Sequence, residues 1–194
     1  PTHVAVNPSS GDLYVADGYS NARVHKYDPK GRHILSWGES GTDAGEFNIV
    51  HNIAVDNEGR VYVADRENRR IQIFDSNGKY LDQWVNVSRA AAVCVDTNGD
   101  GLVYVGEYFA GLLTNTIGTD LGPRVTIFDA AGKVVARLGR QSYGDDAGRF
   151  YSPHAIAVDS RSDIYVAEVS FSDYGRLMNP PKELRSLQKL VKKH

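Results

Sequence analysis

With 194 residues, 41% hydrophobic and 24% charged side chains, and a formal net charge of −2, the chain has the composition of a globular protein with enough apolar mass for a sizeable core. Its 22 basic residues, scattered except at the C-terminus, argue against nucleic acid as a partner, and no apolar run is long enough to cross a membrane. Cys94 is the only cysteine, which excludes an intrachain disulfide; its place in a strand pattern makes it a core residue.

Taken in order, the first stretch, HVAVNPSSGDLYVADGYSNARVHKYDPKGRHILSWG from His3 to Gly38, alternates apolar and polar residues in four short runs separated by turn chemistry at PSSGD and DPKGR. The second, HNIAVDNEGRVYVADRENRRIQIFDSNGKYLDQW from His51 to Trp84, repeats it strand for strand. The third runs AAVCVDTNGDGLVYVGEY and then RVTIFDAAGKVVARLG, the same four strands with an interruption between the second and third. The fourth opens with HAIAVDSRSDIYVAE, after which the pattern blurs. There the repeat predicts a third strand within ELRSLQKLVKK, although Leu184, Leu187 and Val191 also fit a helical stripe; the basic cluster of this segment reads as a solvated face.

Registration is tight. Tyr14, Tyr62, Tyr104 and Tyr165 hold one position in the second strand, Asp17, Asp65, Glu107 and Glu168 close it, and Gly31, Gly78 and Gly132 mark the turn into the fourth. Four-stranded units recurring at intervals of 48, 42 and 61 residues predict an all-β fold, a β-propeller of four antiparallel blades at about 1–38, 49–85, 90–139 and 152–194 in a single domain. The fourth blade lacks an obvious outer strand and the chain opens inside a strand, so we expect the ring to be closed by residues absent from this chain rather than as a rarer small ring.

In a propeller the first strand of each blade lines the axis and the loops sort onto two faces. The insertions, ESGTDAGEFNIV, YFAGLLTNTIGTDLGP, RQSYGDDAGRFYSP and VSFSDYGRLMNPPKE, all fall at the end that holds the start of strand one and the loop between strands two and three. Loops elaborated on one end of a rigid scaffold mark the binding face, for a small molecule or peptide or for a protein partner. His51 and His154 stand immediately before strand one in the second and fourth blades, where Thr2 and Ala91 stand in the others, so both imidazoles are expected to face the axis at that end. Imidazole suits zinc, which needs three or four ligands, so a third donor is required from elsewhere. Tyr19 and Arg66 follow the acidic residue that ends strand two; a tyrosine beside a metal serves as a general base, and an arginine holds a carboxylate through two bonds. A weaker calcium signal lies at DTNGDG, with Asp96, Asn98 and Asp100 as ligands; Glu107, the twelfth position of that pattern, ends the next strand at the opposite face and cannot fold back.

These units resemble the NHL repeat. The run from PTHVAV through ADRENRRIQIF is similar to the peptidyl-α-hydroxyglycine α-amidating lyase family, closely over residues 1 to about 85, and PHAIAVD recovers that family's PH motif. The resemblance implies a six-bladed ring with a zinc held by three axial histidines, and cleavage of peptidyl-α-hydroxyglycine into a peptide amide and glyoxylate. By position, His51 and His154 match two zinc ligands, Tyr19 the catalytic tyrosine and Arg66 an active-site arginine. The third histidine and a second arginine would lie before Pro1. The family's calcium-binding aspartate after the PH histidine is replaced by Ala155. The resemblance favours an extracellular or periplasmic location. The competing reading is a non-catalytic NHL propeller whose Tyr108, Phe109, Tyr143, Phe150, Tyr151, Phe171 and Tyr174 form the contact surface for a protein or peptide.

Overall fold

The computed structural model describes residues 1–108, 122–139 and 143–193. Blade I comprises β1 (His3–Val6), β2 (Leu13–Asp17), β3 (Arg23–Tyr27) and β4 (His33–Trp37), and blade II β5 (Val50–Val55), β6 (Val61–Asp65), β7 (Arg70–Phe74) and β8 (Tyr80–Trp84). Blade III comprises β9 (Arg89–Val95), β10 (Val103–Tyr108), β11 (Arg124–Phe128) and β12 (Val134–Leu138), and blade IV β13 (Pro153–Val158), β14 (Ile164–Glu168) and β15 (Leu187–Leu190). Each blade is an antiparallel meander of sequential strands. The fold is therefore all-β, four blades of a β-propeller.

Hairpin geometry follows from an aspartate recurring at the strand ends. Asp28, Asp56, Asp75, Asp129 and Asp159 each accept backbone N–H bonds from the residues two and four positions on, closing the turn locally without help from the rest of the fold. The apolar faces then have only neighbouring blades to bury against. Trp37 of β4 packs on Phe74 of blade II, and Trp84 of β8 stacks on Phe128 of blade III at 4.8 Å between ring centroids. Leu138 holds the equivalent place at the third seam, where a cavity of about 510 Å³ opens beside Tyr104, Ile127, Ile164 and Leu190.

The blurred end of the sequence pattern resolves as a strand. β15 pairs with β14 from Ala167↔Leu187 to Ile164↔Leu190, with Leu187 and Val191 exposed rather than forming a buried helical stripe. The insertion before it contains one short helix, α1 (Ser170–Asp173), and a 3-10 turn at Gly175–Leu177 that the repeat did not announce. Among the described residues no helix is long and apolar enough to cross a membrane.

Candidate functional site

Both histidines owe their position to one local device. In β5, Val50 pairs with Asp65 and Asn52 with Ala64, leaving His51 as an extra residue; in β13, Pro153 pairs with Glu168 and Ala155 with Ala167, leaving His154. Ala91 is the extra residue of β9, between Ala90↔Glu107 and Ala92↔Gly106. A bulge at the start of the inner strand turns its side chain out of the pleat, here towards the axis. Blade III places a methyl group there, so the imidazoles of blades II and IV meet over it, edge to face at 4.6 Å between centroids.

The acidic residue closing the second strand holds each bulge in place. Asp65 accepts from Asn48 N–H, Glu107 from Ser88 N–H at 2.5 Å, and Glu168 from Tyr151 and Ser152 N–H, in each case the segment leading into the bulge. All three carboxylates are buried and are shared with the third strand: with Arg70 and Gln72, with Arg124 and Thr126, and with Gln188. Their recurrence was visible in the sequence; their work as clamps was not, because it depends on contacts between distant segments.

Tyr19 comes to the same mouth through Gly18. A Cβ on Gly18 would lie 1.9 Å from Val50 O, so only glycine lets this turn close against the backbone beside His51. Tyr19 itself sits at φ 59°, an uncommon and strained conformation for an aromatic residue, and is 62% exposed. Its Oη lies 3.4 Å from His51 Nε2. The arginine is fixed by backbone: Arg66 and Glu67 N–H donate to Ile49 O and Asn48 O, pinning the β6–β7 turn onto the chain entering β5. The guanidinium of Arg66 stands 5.5 Å from the Tyr19 ring centroid and 5.7 Å from that of Tyr108.

Electrostatics keep the imidazoles neutral. Burial, then the charges of His154 and Arg66, hold the pKa of His51 down at about 4; burial and Arg66 lower that of His154. His51 Nδ1 lies 2.6 Å from Ala91 O, which can only accept, so Nδ1 carries the proton and Nε2 presents a lone pair. A neutral imidazole whose other nitrogen donates to a carbonyl is the form in which histidine binds zinc-type ions, so His51 fits as a ligand, with the neutral imidazole of His154 beside it. Among the described residues no group of three or more His, Cys, Asp and Glu side chains converges on a metal position.

The site extends beyond the residues the motifs marked. Glu67 accepts from Arg66 Nε at 2.8 Å and from Arg89 Nη2 at 2.6 Å, and the guanidinium of Arg89 lies 4.7 Å from the Tyr108 ring centroid. Tyr108 stands 6.4 Å from His154, its pKa pushed up to about 12 by burial and by its bond to Asp173, which also takes the Ser152 hydroxyl at 2.6 Å. Arg89 stands two residues before the bulge, as does Ser152 in blade IV, and that equivalence is the signal that could have found it.

Asp96, Asn98 and Asp100 lie in the turn between β9 and β10. Asp96 accepts from Asn98 N–H and, at 2.7 Å, from the Ser162 hydroxyl, while Asp100 pairs with Lys192 at 2.9 Å. The aromatic contact surface needs correction. Phe150 is fully buried in the seam between blades III and IV and Tyr151 is 8% exposed, so neither faces a partner. Tyr143 and Phe171 are exposed; Phe109 lies outside the described residues.

Bulged inner strands, clamping carboxylates and Asx-closed hairpins repeat around the axis of this β-propeller, and the NHL repeat model matches residues 1–27 and 47–74, in blades I and II. The chain is 42% identical over 89 residues to peptidyl-glycine alpha-amidating monooxygenase B of Xenopus laevis, covering 43% of this chain and 10% of that protein. It is 33% identical over 190 residues to peptidyl-alpha-hydroxyglycine alpha-amidating lyase 1 of Drosophila melanogaster, covering 88% of this chain and 33% of that protein. To NHL repeat-containing protein 3 of Mus musculus it is 31% identical over 170 residues, covering 82% and 44%. The chain thus spans less than half the length of each of these relatives. Among solved structures, a protein of unknown function from Bacteroides caccae superposes with a TM-score of 0.69 at 13% identity over 98% of this chain and 62% of that one. Kuenenia stuttgartiensis hydrazine synthase gives 0.64 at 13% identity over 87% and 42%, a likeness of fold alone.

Proposed function

We propose that this chain is part of a metal-dependent lyase that cleaves peptidyl-α-hydroxyglycine, or a closely related carbinolamide, into an amide and glyoxylate. The reading places its four blades in a six-bladed ring acting on peptides outside the cytoplasm. The observation that carries it is the convergence of Tyr19, His51, His154 and Arg66 on one mouth, with a phenol 3.4 Å from an imidazole and a guanidinium between two aromatic rings. The 33% identity to the fly lyase supports it.

His51 and His154 would hold a zinc-type ion together with a donor from outside the described residues, and the bound ion would polarise the substrate hydroxyl. Arg66 grips the substrate carboxylate and orients the carbinol carbon towards the histidines. Tyr19, as general base, takes the hydroxyl proton; the O–H electrons become the aldehyde C=O, the C–N bond breaks, and the same proton passes to the departing amide nitrogen. Arg66 between Tyr19 and Tyr108 favours the anionic form of any group that enters.

The test is incubation of the full-length protein with zinc and N-benzoyl-α-hydroxyglycine. Equimolar benzamide and glyoxylate are expected, with Tyr19→Phe and Arg66→Met each lowering kcat/KM by about a hundredfold or more. Absence of glyoxylate from a folded, zinc-supplied protein would overturn the reading. The similarity to NHL repeat-containing protein 3 supports a second one, a non-catalytic propeller holding a protein or peptide at the long-loop face around Tyr143 and Phe171. That reading gains if His51→Ala and His154→Ala leave partner binding unchanged while shortening the loops abolishes it.

A further inference from the structure

The mouth holds two guanidinium groups and one carboxylate between them. Glu67 is the only anion bonded to Arg66 among the described contacts, and it is not Arg66's alone: Oε1 accepts from Arg66 Nε at 2.8 Å and from Arg89 Nη2 at 2.6 Å, while Oε2 accepts from Arg89 Nε at 3.1 Å. Arg89 therefore takes the carboxylate face-on through two bonds, and Arg66 is left with one bond through Nε. All three side chains are largely buried, at 11%, 27% and 17% exposure for Arg66, Glu67 and Arg89, so their charges are only partly screened. Set against Glu67, the two guanidinium groups leave one positive charge over, while Asp173, the other carboxylate at this mouth, is taken up by Tyr108 and the Ser152 hydroxyl.

We infer that Arg89 is a positioning residue that draws Glu67 away from Arg66, keeping the Arg66 guanidinium available to bind the carboxylate of a small acyl-amino-acid ligand. Without Arg89, Glu67 swings fully onto Arg66, and the binding cation is neutralised from within the protein. The inference rests on Arg66 as the carboxylate-binding group of the proposed function but not on turnover, because binding alone reads it. It also predicts an interaction of distinctive sign: removing the acid that causes the damage restores what removing Arg89 takes away.

The experiment uses full-length protein and the unreactive pair hippurate and hippurate methyl ester, which differ by the carboxylate charge, with dissociation constants from titration calorimetry. Wild type is expected to prefer hippurate. Arg89→Gln is expected to weaken hippurate by about tenfold and leave the ester unchanged, with the Glu67→Gln/Arg89→Gln double variant returning to within about threefold of wild type. Thermal unfolding of each variant identifies any that fails to fold, in which case Arg89→Lys, which keeps the charge, replaces it and is expected to retain most of the affinity. The inference is overturned if wild type shows no preference for hippurate, if Arg89→Gln weakens ester and acid alike, or if the double variant stays as weak as the single one. A protein that meets the expected pattern yet releases no glyoxylate from N-benzoyl-α-hydroxyglycine would sink the lyase reading and leave this one standing.

Discussion

Replacing Glu107 by glutamine tests the clamp that ties each blade to its linker. The carboxylate is fully buried; Oε1 accepts from Arg124 Nε at 2.8 Å and from the Thr126 hydroxyl, and Oε2 from Ser88 N–H at 2.5 Å. A glutamine of the same shape has one accepting oxygen. Whichever way its amide turns, an NH2 group meets donors, either Ser88 N–H or the Arg124 and Thr126 pair. One buried donor loses its partner at about 1–3 kcal/mol. The Arg124 guanidinium, in a residue 8% exposed, also loses its counter-charge in the interior, which brings the total to about 3–5 kcal/mol, a large share of a typical domain's stability. Urea denaturation followed by tryptophan fluorescence and circular dichroism measures it, with Asp129→Asn as the control. Asp129 performs its turn-closing role at an exposed site where asparagine accepts the same N–H bonds, so its change costs about 0.5 kcal/mol or less. A Glu107→Gln protein within about 1 kcal/mol of wild type would refute the clamp and the claim that these carboxylates set the bulges.

Three further outcomes follow from the same contacts. Trp84→Ala, which removes the indole stacked on Phe128, costs about 3–5 kcal/mol in urea unfolding and more than Leu138→Ala, because Leu138 borders a seam that already holds a cavity of about 510 Å³. Gly18→Ala drives a methyl group into Val50 O and destabilises by about 2 kcal/mol or more in thermal unfolding, while the same change at Gly45, where a Cβ meets nothing, costs only its positive-φ strain. Burial pushes the Cys94 thiol up to about 11 from 9.0, so at pH 8 the native protein holds about a hundredfold less thiolate than the unfolded chain, and iodoacetamide labels it correspondingly more slowly without urea than with it.

The propeller was legible because each blade is specified by local chemistry. Alternating strands, an aspartate at the turn and a glycine at the third hairpin recur in register, and each makes its bonds within a few residues of itself. His51, His154, Tyr19 and Arg66 were also legible, since their places in the repeat put them at the inner-strand starts and at the turns of one face. Glu67 and Asp173 were not, because their roles arise from contacts between blades II, III and IV, and Arg89 is marked only by its place two residues before the bulge. The acidic residues of the DTNGDG turn follow a calcium-loop pattern, and Asp96 and Asp100 find partners that their neighbours in sequence do not announce, the Ser162 hydroxyl of blade IV and Lys192.

Anomalous scattering at the zinc edge from crystals of the full-length protein tests the central claim most directly. The account predicts one strong peak at about 2.0–2.1 Å from His51 Nε2 and from a nitrogen of His154, lost in the His51→Ala protein. A fully zinc-loaded crystal with no peak between those two rings, or with its peak at the opposite end of the axis, would contradict it.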